Sequence, residues 1–266
     1  MKATFVQNQV TLDWIVLNPR RQERPDQHHT SGEPIICPFD PGNEGMTEEV
    51  MRVGGNDKSD WQIRVVKNIF PITPYHEVVI DSPHHNSSLI TLPLSQVELL
   101  FEVYQARYND LKKHGYPLIF HNHGEEAGES LRHGHSQIAV IPPHVGISSP
   151  MAQEPHNIAI KGKALVVFCP EFSVWPYETW IQPLRRDKNF GQIDVAQLTE
   201  LGSLTQRILK SLDSVHPNLA YNFYIYPGED WYLRIVGRST KWAGFEIGSG
   251  IPVNVVDPKE VVAILS

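Results

Sequence analysis

Apolar residues recur along the first half of the chain with the spacing of several strands and one helix. Residues 61–67 (WQIRVVK) alternate apolar and polar side chains, which indicates a strand with one buried face. Ser95 and Glu98 have the spacing of a capping box, which predicts an amphipathic helix that continues to Leu111 and ends at Gly115. The same reasoning predicts strands at 11–17, 76–81, 116–121 and 135–141, and loops at 18–34 and 41–60.

The second half of the chain repeats this order of elements. The segment FPITPYHEVVI at 70–80 aligns with FSVWPYETWIQ at 172–182, and each copy precedes a capped helix and two strands. The predicted elements are strands at 163–168, 178–183, 221–226 and 231–236, a helix capped by Asp194, and a short helix starting at Asp257-Pro258. We therefore expect an α+β fold of two related halves, a catalytic half at 1–150 and a second half at 151–266, each an antiparallel sheet with a packed helix.

Composition limits the partners and the location of the protein. The net charge of −7 gives no general attraction for DNA or RNA, so any phosphate site must be local. The N-terminus lacks a basic start with an apolar run, and no apolar stretch could span a bilayer, so we expect no signal peptide and no membrane partner. Two cysteines do not make a disulfide framework, and the expected location is the cytoplasm.

The side chains best suited to catalysis or phosphate binding lie between residues 120 and 143. In a strand, residues two apart share a face, so His133, His135 and Gln137 point one way, while Ile138 and Val140 take the opposite face and anchor the strand in the core. A Gly-containing segment with Ser130 precedes them and can bring backbone N–H groups close to a phosphate. An imidazole is a good nucleophile near neutral pH, since its unperturbed pKa is about 6.5. The alternative is a strand with scattered surface histidines.

Motifs along nearly the whole chain resemble one family. The set comprises HGHSQ at 133–137 with GEEAGESLRH before it, DWIVLNPRRQERP at 13–25, CPFDPGNE at 37–44, VVKNIFP at 65–71, SPHH at 82–85, PYETW at 176–180 and GFEIGSG at 244–250. In this order the motifs are similar to those of the galactose-1-phosphate uridylyltransferase family, a branch of the histidine-triad superfamily. The Ser-Gln ending of HGHSQ also resembles the sugar-nucleotide phosphorylases of that superfamily.

The resemblance implies a transferase of galactose or other carbohydrate metabolism that works by a ping-pong mechanism. His135 would carry the nucleotidyl group, Gln137 would orient the phosphate, and Ser130 would contact it. The expected partners are a nucleotide sugar and a sugar phosphate, and the resemblance also implies a homodimer in which Glu246 meets the sugar in the partner subunit's site. The other substrate-binding positions that match the family are Arg21, Arg24, Asn68 and Asn122.

Metal binding is the point at which the motifs depart from the family. Members that bind zinc use two cysteines and two histidines, and the matching residues here are Cys37, Asp40, His85 and His133. Zinc accepts a carboxylate ligand, so this set predicts a tetrahedral zinc site, and the alternative is that the metal has been lost. No second metal is expected, because the matching Glu178 is not accompanied by the histidines of that site.

The acceptor of the nucleotidyl group stays open at this stage. A sugar phosphate would make the protein a transferase. Inorganic phosphate or water would make it a phosphorylase or hydrolase of nucleotide sugars or dinucleoside polyphosphates. A non-catalytic nucleotide-binding protein is the remaining alternative, which the presence of both His135 and Gln137 disfavours.

Overall fold

The computed structural model of the chain describes residues 3–23, 36–55 and 60–266. The strands are β1 Thr4–Gln7, β2 Trp14–Leu17, β3 Glu49–Gly54, β4 Trp61–Lys67, β5 His76–Ile80, β6 Tyr116–His123, β7 His135–Ile141, β8 Ile158–Lys161, β9 Leu165–Phe168, β10 Thr179–Pro183, β11 Tyr221–Ile225 and β12 Leu233–Gly237. The α-helices are α1 Leu94–Leu111, α2 Val195–Val215, α3 Gly244–Ser249 and α4 Pro258–Leu265. None of these helices is long and apolar enough to cross a membrane.

Ten of the strands form one antiparallel sheet. Its order is β3-β4-β5-β7-β6-β11-β12-β10-β9-β8, while β1 and β2 pair separately. The sequence β4-β5-β7-β6 from one edge corresponds to β9-β10-β12-β11 from the other, and a helix follows the second strand of each set along the chain. The expected α+β class with antiparallel strands and packed helices is therefore confirmed. The division of the chain at residue 150 stays a prediction, since β6 and β11 join the two sets into one sheet.

The main core lies between this sheet and the two long helices. Ile138 and Val140 from β7 pack there with Leu100 from α1 and Leu201 from α2, all of them buried. The helices approach each other closely at Gly202, where an added Cβ would lie 3.3 Å from the Cα of Glu98. Because both helices cover the same face, the opposite face of the central strands is left for other uses.

The helix starts show one correct prediction and one correction. Asp194 caps α2 as expected, and its carboxylate accepts a hydrogen bond of 2.9 Å from the backbone N–H of Gln197. In α1 the N-cap is Pro93, without a side-chain cap, so the capping box predicted at Ser95 is wrong. The backbone of Pro93 already has the extended conformation of a cap residue, so the helix begins one residue before Ser95.

Several short elements lie outside the sequence prediction. β3 lies within the stretch 41–60 that was expected to be a loop. Its residues are half-buried rather than alternating, and Glu49 is held by a 2.7 Å ion pair with the buried Arg64 of β4. The other elements that the pattern did not predict are β1, β8 and α3.

Both outer strands of the large sheet are irregular. The pairing of β3 with β4 shifts register between Glu49 and Met51 and again between Val53 and Gly54. The pairing of β8 with β9 shifts between Ile158 and Ile160. Each edge strand is therefore bent relative to its neighbour.

Candidate active site

The histidine strand β7 lies inside the sheet, with β5 on one side and β6 on the other. His135 and Gln137 are buried and line a slot on the face away from the helices, while Ile138 faces the core. This is the alternation that the sequence predicts. A strand paired on both sides is rigid, which fixes the direction in which these side chains point.

The slot is a largely apolar cavity of about 330 Å³. Its lining residues are Ile36, Pro38, Phe39, Met46, Thr47, Val66, Lys67, Asn68, Ile69, Phe70, Val78, Ser130, Leu131, His135 and Gln137. A mostly apolar lining with a few polar side chains is typical of a small-molecule site. A larger cleft of about 1120 Å³ runs along α2 near Glu200, but none of the predicted site residues that the structure describes lines it.

The orientation of the His135 ring follows from one backbone contact. Its Nδ1 lies 2.8 Å from the carbonyl oxygen of His133. A carbonyl can only accept, so Nδ1 carries the proton and the lone pair of a neutral ring is on Nε2. The ring of Phe39 packs beside it, with centroids 5.3 Å apart. The ring of His135 is therefore held in one orientation, with the unprotonated nitrogen at Nε2.

Gln137 contacts a residue that the sequence reasoning missed. The Nε2 of His76 lies 3.0 Å from the Oε1 of Gln137, and the side-chain amide of Asn68 lies 3.4 Å from the same oxygen. His76 is buried at the start of β5, two strand positions from Val78, which pairs with Gln137. The strand alternation of 76–81 was the signal that could have placed it on the slot face.

The loop before β7 places Ser130 among the slot-lining residues. Gly124 and Gly128 have φ values of +84° and +79°, which side chains rarely adopt, so the loop requires glycine there. Asn122 of β6 is not among the slot-lining residues. Its Oδ1 accepts a 2.8 Å hydrogen bond from Asn222 of β11.

The remaining predicted substrate residues have different locations. Arg21 donates a 2.8 Å hydrogen bond to the carbonyl of Phe70, a slot residue, so Arg21 lies at the rim. Arg24 falls outside the described residues. Glu246 is on α3, where its carboxylate accepts from the backbone N–H of Ala243, and it is not among the slot-lining residues of its own chain.

The four predicted metal ligands do come together beside the slot. The ligand atoms of Cys37, Asp40, His85 and His133 all lie within 4.8 Å of one another. His85 and His133 each place Nδ1 close to the Asp40 Oδ1, at 2.7 Å and 3.0 Å. The residues come from three separate segments, so the cluster joins parts of the chain that are distant in sequence.

The protonation of this cluster fits a bound cation. The Nε2 of His133 lies 2.7 Å from the carbonyl oxygen of Ser82, which requires the proton on Nε2. Burial lowers the pKa of His133, so its neutral ring has a lone pair on Nδ1, facing a carboxylate that also only accepts. Burial also raises the pKa of the Cys37 thiol to about 11, and a metal would remove that proton. The lone pairs of His133 Nδ1 and Asp40 Oδ1, 3.0 Å apart, and the Cys37 sulfur are ligand atoms that suit zinc.

The reverse face of β7 carries a buried polar group. The Oγ of Ser136 lies 2.9 Å from Nδ1 of His121 and 3.4 Å from Asp81, and it also contacts the hydroxyl of Tyr104. Burial lowers the pKa of His121 well below its usual range. His121 is thus a buried partner of the histidine strand and not a surface residue.

In the second half, Glu178 is engaged by an arginine. Arg234 donates from Nε and Nη2 to the two carboxylate oxygens of Glu178, at 2.8 Å and 2.9 Å, and both residues are buried. The indole of Trp180 donates to the same carboxylate. Both carboxylate oxygens of Glu178 are therefore already bound by a guanidinium. The expectation that no second metal binds here stays a prediction.

Comparison with known proteins gives consistent relatives. The family model described as galactose-1-phosphate uridyl transferase, N-terminal domain, matches residues 71–140. ADP-glucose phosphorylase of Arabidopsis thaliana is 26% identical over 96% of this chain and 90% of its own. Galactose-1-phosphate uridylyltransferase of Thermotoga maritima is 28% identical over 51% of this chain and 45% of its own. The crystal structure of the Arabidopsis phosphorylase with bound ADP-glucose matches with a TM-score of 0.77 at 25% identity, covering 100% of this chain and 98% of that chain.

The fold and the histidine strand define a protein of the histidine-triad superfamily. Within it, the chain is similar to the galactose-1-phosphate uridylyltransferases and to an ADP-glucose phosphorylase, and the family model matches residues 71–140. The resemblance of the sequence motifs is therefore confirmed.

Proposed function

We propose that the protein transfers a nucleotidyl group from a nucleotide sugar to a phosphate-bearing acceptor through a covalent bond to His135. The observation that carries the proposal is the fixed Nδ1–H···O contact of 2.8 Å, which leaves Nε2 as the nucleophile in the slot. In the first half-reaction Nε2 attacks the α-phosphorus, the P–N bond forms, and the bond to the sugar phosphate breaks. In the second, an acceptor oxygen attacks the same phosphorus and the P–N bond breaks.

The residues around the slot have separate roles in this proposal. The base occupies the apolar part beside Phe39, while Gln137 and Ser130 donate to the phosphoryl oxygens. The further contacts to the substrate are assigned to Asn68, Asn122, Arg21 and Arg24, and Glu246 contacts the sugar from the partner subunit of a homodimer.

Two acceptors are candidates. A hexose 1-phosphate corresponds to the uridylyltransferase relatives, and inorganic phosphate corresponds to the relative named ADP-glucose phosphorylase, whose alignment covers 96% of this chain. Both follow the same first half-reaction. The Ser-Gln ending of the motif and the length of that alignment favour testing phosphate first.

The proposal includes a zinc ion held by the Cys37, Asp40, His85 and His133 cluster. When bound, zinc supplies structural cross-linking of the three segments and needs no open coordination position. His133 lies two residues before His135, so fixing its ring also fixes the start of the histidine strand.

The test is capture of the covalent adduct. Wild-type protein is incubated with a panel of ADP-, UDP- and GDP-sugars without acceptor, and intact mass is recorded. We expect an acid-labile, base-stable nucleotidyl adduct on His135 that inorganic phosphate or a hexose 1-phosphate removes. His135→Ala should retain the fold and form no adduct, whereas the exposed His156→Ala should behave as wild type. Normal turnover by His135→Ala would rule out the covalent mechanism.

A further inference from the structure

Two backbone N–H groups fix the side chains that surround Gln137. The N–H of Ile72 donates to Nδ1 of His76 at 2.9 Å. A backbone N–H can only donate, so Nδ1 must be the unprotonated nitrogen, and the proton of the neutral ring is on Nε2. A doubly protonated ring would place two donors against each other. His76 is therefore neutral, with a defined tautomer.

The same argument orients Asn68. The N–H of Phe70 donates to its Oδ1 at 2.8 Å, so the amide nitrogen of Asn68 points the other way. That nitrogen lies 3.4 Å from Oε1 of Gln137 and 3.3 Å from Nε2 of His76. The short segment 70–72 thus sets the direction of both neighbouring side chains.

Both donors converge on one oxygen. The Nε2–H of His76 at 3.0 Å and the amide of Asn68 at 3.4 Å both address Oε1 of Gln137. A carbonyl oxygen has two lone pairs, and here each faces a donor. Rotating the amide by half a turn would bring the –NH₂ of Gln137 against the Nε2–H of His76. The –NH₂ must therefore be directed to the slot.

We infer that His76 is a positioning residue that holds the –NH₂ of Gln137 toward the phosphoryl group. The inference rests on the proposed function, because it assigns a reason for the orientation of a group in that site. The reverse orientation would place a carbonyl oxygen against phosphoryl oxygens, and the contact would change from a hydrogen bond to a repulsion. His76 does not touch the substrate in this scheme and acts through Gln137.

The first test reads the tautomer directly and needs no activity. Long-range ¹H–¹⁵N correlation spectra of ¹⁵N-histidine-labelled protein report which ring nitrogen is protonated. His76→Phe, which removes one set of signals, assigns the residue. We expect a neutral ring at pH 7 with the proton on Nε2. A proton on Nδ1, or on both nitrogens, would overturn the inference whether or not the protein transfers nucleotides.

The second test is a double-mutant cycle on formation of the His135 adduct. His76→Phe alone should slow adduct formation on the order of 10-fold or more, while the Kd for the nucleotide sugar changes by less than about threefold. In the Gln137→Ala background His76→Phe should slow adduct formation by less than about twofold, since the amide that His76 positions is gone. His76→Gln keeps a donor for Oε1 and should recover part of the rate.

The outcomes separate the two claims. Equal slowing by His76→Phe in both backgrounds would mean that His76 is only structural. Absence of any wild-type adduct would refute the proposed function, while the tautomer spectrum still decides the geometry at Gln137.

Discussion

Gly134 lies between the two histidines of the motif. The surrounding chain leaves no room for a side chain at this position. A Cβ at this position would lie 2.7 Å from the carbonyl oxygen of Ser87 and 3.5 Å from a carboxylate oxygen of Asp81. Its φ is not in the left-handed region, so the requirement for glycine is steric.

Gly134→Ala should therefore displace the backbone at residue 134 away from Ser87, and with it the side chains of His133 and His135. We expect a loss of about 1–3 kcal/mol in the free energy of unfolding, the usual cost of overpacking, measured by urea denaturation. Adduct formation should fall on the order of 10-fold, because sub-ångström placement matters at a reacting centre. Gly146→Ala is the matched control, since its Cβ would meet only Trp14 at 3.8 Å. Similar effects of both substitutions would show that the contact with Ser87 is unimportant.

At this scale the sequence predicts some side chains and not others. Strand alternation was sufficient for His135 and Gln137, because it depends only on their own spacing. The metal cluster could be anticipated only from the resemblance. His76 was missed because its role depends on the register of β5 against β7 and on one backbone N–H of a loop. Neither is visible in the local pattern of residues.

At the scale of elements, the candidate metal cluster connects the segment 37–40, the loop after β5 and His133, two residues before β7. Purified protein should contain about one zinc per chain, measured by elemental analysis, and a chelator should lower its Tm. Asp40→Ala should reduce the metal content and the Tm, while Asp40→Cys should keep both. The exposed Glu48→Ala is the control, since its ion pair with Lys67 is on the surface. Purified protein that contains no metal, and whose Tm is unchanged by a chelator, would contradict the zinc assignment.

The elements themselves were predictable where one face is clearly buried. β4 and β7 have the predicted bounds, and α2 begins at its predicted cap. β3 was missed because an edge strand needs no strict alternation, and its burial depends on Arg64 across the sheet. Helix α1 begins one residue before the predicted start, because Pro93 and not Ser95 is its N-cap residue.

At the scale of the whole molecule, the C-terminal segment exposes an apolar surface. Trp242, Phe245, Ile247 and Ile251 are 46%, 60%, 73% and 59% exposed around α3, the helix that bears Glu246. A surface of this kind suits a subunit contact. It agrees with the proposal that Glu246 acts in the slot of a partner subunit, which a single chain does not display.

Glu246→Ala should consequently affect the two half-reactions unequally. We expect transfer to a hexose 1-phosphate to slow on the order of 10-fold, because hydrogen bonds to the sugar are lost, while adduct formation changes by less than about twofold. Stopped-flow measurement of each half-reaction checks this, with the exposed Glu260→Ala as control. Equal slowing of both halves would make Glu246 structural. Full resolution of the adduct by inorganic phosphate alone would favour the phosphorylase reaction.

The register shifts in β3 and β8 have a consequence for how copies of the protein meet. A flat, regular edge strand presents unpaired N–H and C=O groups that can template the addition of further chains, the usual start of fibrillar aggregation. Here both ends of the ten-stranded sheet are bulged, and the outer strand β3 also carries the charges of Glu49 and Arg52. Growth of the sheet by strand addition is thereby discouraged at either end.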